Sequence, residues 1–107
     1  MTRVRCVVVT TTVGTGQEAD AIAEALVAER LAACVQAWPV ASRYRWQGQV
    51  TRSEEFRIEA KTSPAQAGEL IERIAALHPY DLPEIIAAEV ETSAAYAGWV
   101  ESETDAE

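Results

Sequence analysis

Hydrophobic and polar positions along the chain change period several times, and each change marks an element. Residues 3–13, RVRCVVVTTTV, are rich in valine and threonine and stop at Gly14 and Gly16, the composition and punctuation of a strand. From Gln17 to Leu31 the apolar residues Ala19, Ile22, Ala23 and Leu26 recur at helical spacing, while Gln17, Glu18, Asp20 and Glu24 face elsewhere. This predicts an amphipathic helix with acidic residues in its first turn and Arg30 in its last, as the helix dipole favours.

A second strand is predicted over 33–46, with the strongest alternation from Trp38 through Val40, Ser42 and Tyr44 to Trp46. Pro39 cannot donate to a ladder, so this strand should lie at an edge or break there. Gln47 and Gly48 read as a tight hairpin turn. Residues 49–62 then alternate, with Phe56, Ile58 and Ala60 set against Glu55, Arg57, Glu59 and Lys61. Ser63 followed by Pro64 suits a helix start, and Ala67, Leu70, Ile71, Ile74 and Leu77 mark the buried stripe of a second helix. That helix should end at His78, because Pro79 disfavours helical geometry in the residue before it. Residues 84–90 read as a short strand, and a last helix follows with Thr92 or Ser93 as its cap.

The order β, α, β, β, α, β plus one helix predicts an α+β fold: a ferredoxin-like antiparallel sheet with both crossover helices on one face and an extra C-terminal helix. At 107 residues the chain is read as one domain, 1–107, ending in an acidic tail after about residue 100. The helix-free face then matters. Val7 and Val9 point opposite to Cys6 and Val8, and Ile85 and Ala87 opposite to Ile86 and Ala88, so both faces of these strands are apolar. Each aliphatic side chain left in water forgoes about 1.5–3 kcal/mol of burial, and a short last helix cannot cover four strands. Self-association through that face is the expectation, with the long hairpin reaching over a neighbour.

Charge narrows the function classes. The chain carries 17 acidic against 9 basic side chains, a net charge of −8, without a lysine and arginine stripe for phosphates, so nucleic acid is not an expected partner. The apolar run from Cys6 to Val9 is too short for a signal peptide, and no stretch has the length of a membrane span. A soluble, cytoplasmic protein without a membrane partner is expected. Cys6 and Cys34 are far apart and form no CxxC motif, which predicts buried free thiols rather than a disulfide or a zinc knuckle. There is no serine, histidine and aspartate constellation, no phosphate-binding glycine loop and no paired-carboxylate motif, so an enzyme is not expected.

One histidine remains for metal chemistry. His78 opens HPYDLPEI, beside Tyr80, Asp81 and Glu84. It can be a metal ligand, or it can simply stop the helix, its ring interacting with the last carbonyls. Tyr44 and Trp46 share a strand face, while Tyr96 and Trp99 are three apart on the last helix. These rings can be core and subunit contacts, or they can line a cleft between subunits furnished with Lys61, Tyr80 and Glu84. Such a cleft would suit a small anion or metabolite.

The segments VVVTTTV, AIAEALVAERLAACVQ, SRYRWQG, EAKT, HPYDLPEI and YAGWV, in this order over residues 4 to 100, resemble the CutA divalent-cation tolerance family. The resemblance implies a ferredoxin-like homotrimer linked to tolerance of copper and other divalent ions. It also implies copper ligands at a cysteine late in the first strand and at one or two histidines before the PY turn. The histidine position maps to His78; the residue before it is Leu77, and the cysteine position maps to Thr11, where a hydroxyl is a poor copper ligand. Cys6 cannot replace it, since five residues along a strand put it on the other face and about 17 Å away. His78 with a nearby carboxylate, Asp81 or Glu84, is then the weak divalent-cation site to look for. The alternative implied by similar folds is a trimeric small-ligand or protein-binding signalling scaffold, with an indirect role for metal.

Overall fold

The computed structural model describes residues 4–104. Its elements are β1 (Arg5–Val13), α1 (Gly16–Ala28), β2 (Cys34–Trp46), β3 (Gln49–Thr62), α2 (Ala67–Leu77), β4 (Ile86–Glu91) and α3 (Ala94–Glu103). The sheet order is β2-β3-β1-β4, with every pairing antiparallel, which is the βαββαβ topology read from the sequence followed by a helix. β2 is an edge strand and runs unbroken through Pro39, so of the two outcomes open to this proline the edge position holds. Gln47 and Gly48 both have positive φ, 51° and 79°, the geometry of a two-residue hairpin turn whose twist matches the flanking strands.

Both crossover helices lie on one face. Val7, Val9 and Val13 of β1 and Ile58 and Ala60 of β3 form a single core with Ala19, Ile22 and Leu26 of α1 and Leu70 and Ile74 of α2. Thr15 caps α1: its hydroxyl accepts from the Glu18 amide at 3.1 Å and also contacts the Glu18 carboxylate at 3.1 Å. α1 ends earlier than its apolar spacing suggests. Arg30 lies beyond the helix at φ 59°, and the amides of Arg30 and Leu31 return to the carbonyls of Val27 and Leu26. This left-handed closure satisfies the terminal carbonyls and turns Leu31 onto the core. Arg30 therefore does not sit in the last turn; its guanidinium donates to the Ser102 carbonyl at 2.7 Å.

The start of α2 also departs from the sequence reading. Ser63 does not cap it, because the chain first makes a turn, with the Gln66 amide bonded to the Ser63 carbonyl, and α2 begins at Ala67. The Ser63 hydroxyl is buried and accepts from Thr104 Oγ1 at 3.1 Å, which pins the end of α3 to the end of β3. Ser93 is the cap of α3, and α3 continues to Glu103, so the chain after residue 100 is helix rather than tail until Thr104; 105–107 lie outside the described residues. β4 starts at Ile86, which leaves Glu84 and Ile85 in the preceding turn.

The helix-free face is less uniformly apolar than β1 and β4 alone suggested. By register, Cys6, Val8, Thr10 and Thr12 share it with Ile86, Ala88 and Val90 of β4, but β3 contributes Arg57, Glu59 and Lys61. Within one chain Ile86 is 53% exposed, and Trp38 and Val90 are exposed with it. α3 packs against β1 and β3 at the end where β1 starts and β3 finishes, and leaves β4 open. Cys6 is buried and Cys34 half-buried, both as free thiols. Burial pushes the Cys6 thiol up, and the Lys61 ammonium partly opposes this.

Candidate functional site

The chain leaving α2 is held over the end of β1 by the His78 ring. Nε2–H donates to the Thr12 carbonyl at 2.9 Å, and Nδ1 accepts from the Tyr80 amide at 3.1 Å. Only a neutral ring with its proton on Nε2 satisfies both bonds. The ring also meets Tyr80 edge to face, with centroids 4.8 Å apart. Its contacts are thus to β1 and to the following turn rather than to the last carbonyls of α2. His78 has extended backbone geometry and does end the helix, as Pro79 requires.

From this anchor the turn 79–84 overhangs the long hairpin. Tyr80 Oη donates to Glu55 Oε2 at 2.8 Å, and Glu55 is only 7% exposed. Burial and the carboxylate beside it hold the Tyr80 hydroxyl well above the ordinary phenol range, so it stays a proton donor. Across the hairpin Tyr44 Oη and Ser53 Oγ are 2.8 Å apart, and Arg57 approaches Glu84 at 3.9 Å. Between turn and hairpin lies a cleft of about 730 Å³, with Thr12, Glu55, Tyr44 and Trp46 on the sheet side and Tyr80, Asp81 and Glu84 on the turn side.

One chain therefore brings together Tyr44, Trp46, Tyr80 and Glu84 of the nominated cleft residues. Lys61 lies six residues from Glu55 along β3, about 20 Å away; it pairs with Glu59 at 3.4 Å and donates to Gln36 Oε1. Tyr96 and Trp99 do share a face of α3, ring centroids 5.7 Å apart, but line no part of this cleft. Thr11 points into the helix-covered core with no exposure, and its hydroxyl has no hydrogen-bond partner among the described residues. Among those residues no three histidine, cysteine, aspartate or glutamate side chains gather closely enough to hold a metal ion. Sequence reasoning missed Glu55, whose alternation put it with the solvent-facing residues of β3; no local signal tells that a turn some 25 positions later covers it.

The sequence model of the CutA1 divalent ion tolerance protein family matches residues 7–103. The chain belongs to the CutA1 family. The divalent-cation tolerance protein CutA of Thermus thermophilus is 44% identical over 99 residues, covering 91% of this chain and 96% of that protein. Among solved CutA structures, that from Synechococcus elongatus superposes with a TM-score of 0.91 at 36% identity, covering 98% of this chain and 95% of the other. The PII-like protein CutA from a Nostoc species, in apo form, gives 0.89 at 34% identity, over 94% and 99% of the two chains. The chain spans 63% of the length of the Danio rerio CutA homologue and half that of the Mus musculus protein. CutA1 membership links this chain to divalent-metal tolerance. No helix among its described residues is long and apolar enough to cross a membrane.

Proposed function

We propose that this chain serves divalent-cation tolerance in the cytoplasm as a non-enzymatic homotrimer that takes copper, or another divalent cation, at His78. The observation that carries this reading is the tautomer of the ring. A metal-bound imidazole characteristically donates its other N–H to a carbonyl or carboxylate, and Nε2–H of His78 is so placed on the Thr12 carbonyl. The Nδ1 lone pair is then the one a cation would take, in exchange for a single bond from the Tyr80 amide. Asp81 and Glu84 are the carboxylates near in sequence, and the remaining ligands come from solvent or from other copies of the chain. The exposed residues of β4 and its unpaired edge support assembly, since α3 and the 79–84 turn cover other parts of that face and leave β4 open.

Calorimetric titration with copper and zinc tests the metal site. Stoichiometric binding weakened at least about ten-fold in His78→Ala is the expected result; equal binding by wild type and variant rejects it. Sedimentation equilibrium giving a mass of three chains supports the assembly, and a monomer at micromolar concentration rejects it.

A second reading is favoured by the cleft itself: a trimeric small-ligand scaffold whose relation to metals is indirect. A pocket of about 730 Å³ with a buried carboxylate and aromatic walls has the size and the mixture of groups found in small-molecule sites. Copper titrations without site-specific heat, together with ligand-induced change in Trp46 fluorescence, favour this reading over the first.

A further inference from the structure

Glu55 is a carboxylate with 7% exposure, and its one hydrogen-bond partner among the described residues is the Tyr80 hydroxyl. A carboxylate removed from water ordinarily uses several acceptor sites, because leaving a charge under-solvated is costly. Here the unused sites face a cleft rather than a packed wall. Asp81 and Glu84 lie on the opposite side of the same space, and Arg43 is the cation at its margin, itself exposed. Arg57 is turned to Glu84. Negative charge therefore dominates the cleft, and an anionic ligand would meet a desolvated carboxylate.

The walls narrow the choice further. Tyr44 and Trp46 project from the same face of β2, and within one chain both are partly exposed and line the cleft. A small hard cation seeks several oxygen or nitrogen ligands at once, and the described residues form no such cluster. A cation with its charge spread over an alkylated head needs something else: an aromatic face, and a carboxylate within Coulombic reach. Resting on the reading of the cleft as a small-ligand site, we infer that the cleft selects organic cations, compounds with an alkylammonium head that lies against Tyr44 and Trp46 and is countered by Glu55.

Three probes of nearly one shape test this on the unmodified protein: choline, its neutral carbon isostere 3,3-dimethylbutan-1-ol, and the anionic 3,3-dimethylbutanoate. Trp fluorescence and amide chemical shifts of the hairpin and the 79–84 turn report occupancy. Choline should bind at least about ten-fold more tightly than the neutral isostere, with the anion weakest. Glu55→Gln should reduce choline affinity by a similar factor and leave the neutral probe unchanged, and Trp46→Leu, on the exposed hairpin, should weaken choline in a fold that circular dichroism finds intact. If the neutral or anionic probe binds at these residues as well as choline does, the charge assignment is overturned while the cleft stands as a ligand site. If none of the three perturbs the hairpin or the turn, both fall.

Discussion

β1 presents the same kind of side chain to two different surroundings. Val9 on the helix-covered face is fully buried, while Val8, its neighbour on the other face, is only partly so. Across the sheet the contrast widens: Ile58 under the helices has no exposure, and Ile86 on the helix-free side has 53%. The chemistry of the residues is alike; what differs is whether a second layer lies over them. Burial is thus a property of packing, and the helix-free face carries apolar surface whose stabilising value is realised only when something covers it.

The largest test of this contrast is on the covered side. Leu26→Ala removes a fully buried side chain from the centre of the core and should cost about 2–5 kcal/mol in denaturant unfolding, independent of protein concentration. Thr104→Val comes next, at about 1–3 kcal/mol, since it deprives the buried Ser63 hydroxyl of its donor and releases the end of α3 from the end of the sheet. On the open face the proposed assembly predicts that Ile86→Ala costs about 1–2 kcal/mol per chain, with a loss that depends on protein concentration. A loss of that size that ignores concentration would place Ile86 in a monomeric fold and contradict the assembly.

Two smaller effects sharpen the comparison within the core. Thr11→Val removes a hydroxyl buried without a partner and adds a methyl in its place, so thermal stability should rise by about 1 kcal/mol. A fall would mean that the hydroxyl has a partner in solution. On the outer surface of the helical layer, Arg73 holds Glu29 by two bonds, 2.9 and 3.0 Å, joining α2 to the end of α1. The hydrogen bond of Arg73 and its charge hold the Glu29 carboxyl below its ordinary value, although both side chains are exposed at the surface. A depressed carboxylate contributes stability above its unfolded pKa and loses it as pH falls through its folded pKa. The difference in melting temperature between wild type and Arg73→Ala should therefore be small at neutral pH and vanish on acidification; a difference that grows with acid would reverse the sign.

Much of this was legible along the chain because it is local. Alternation gave the strands, the helical stripe Ile22, Ala23, Leu26 gave α1, and the Gln47–Gly48 pair gave the hairpin, since each depends on a few neighbouring residues. The misreadings share one cause. Ser63 has the chemistry of a cap, but its hydroxyl is taken by Thr104, 41 positions away. Arg30 looks like a dipole-favoured terminal residue, yet it occupies the left-handed closure and bonds to Ser102. Glu55 alternates like a solvent-facing residue, and Tyr80 covers it. In each case a partner distant in sequence decided the matter.

By itself the sequence determined which segments become strands and helices, and hence the antiparallel βαββαβ sheet with its helices on one side, because periodicity and turn chemistry act through neighbours a few residues apart. The tertiary structure alone decided that His78 is neutral with its proton on Nε2, that Glu55 is a buried carboxylate facing a cleft, and that Lys61 stands far from it. Protonation, burial and distance between side chains depend on which distant segments the fold brings into contact, and no short stretch of sequence carries that.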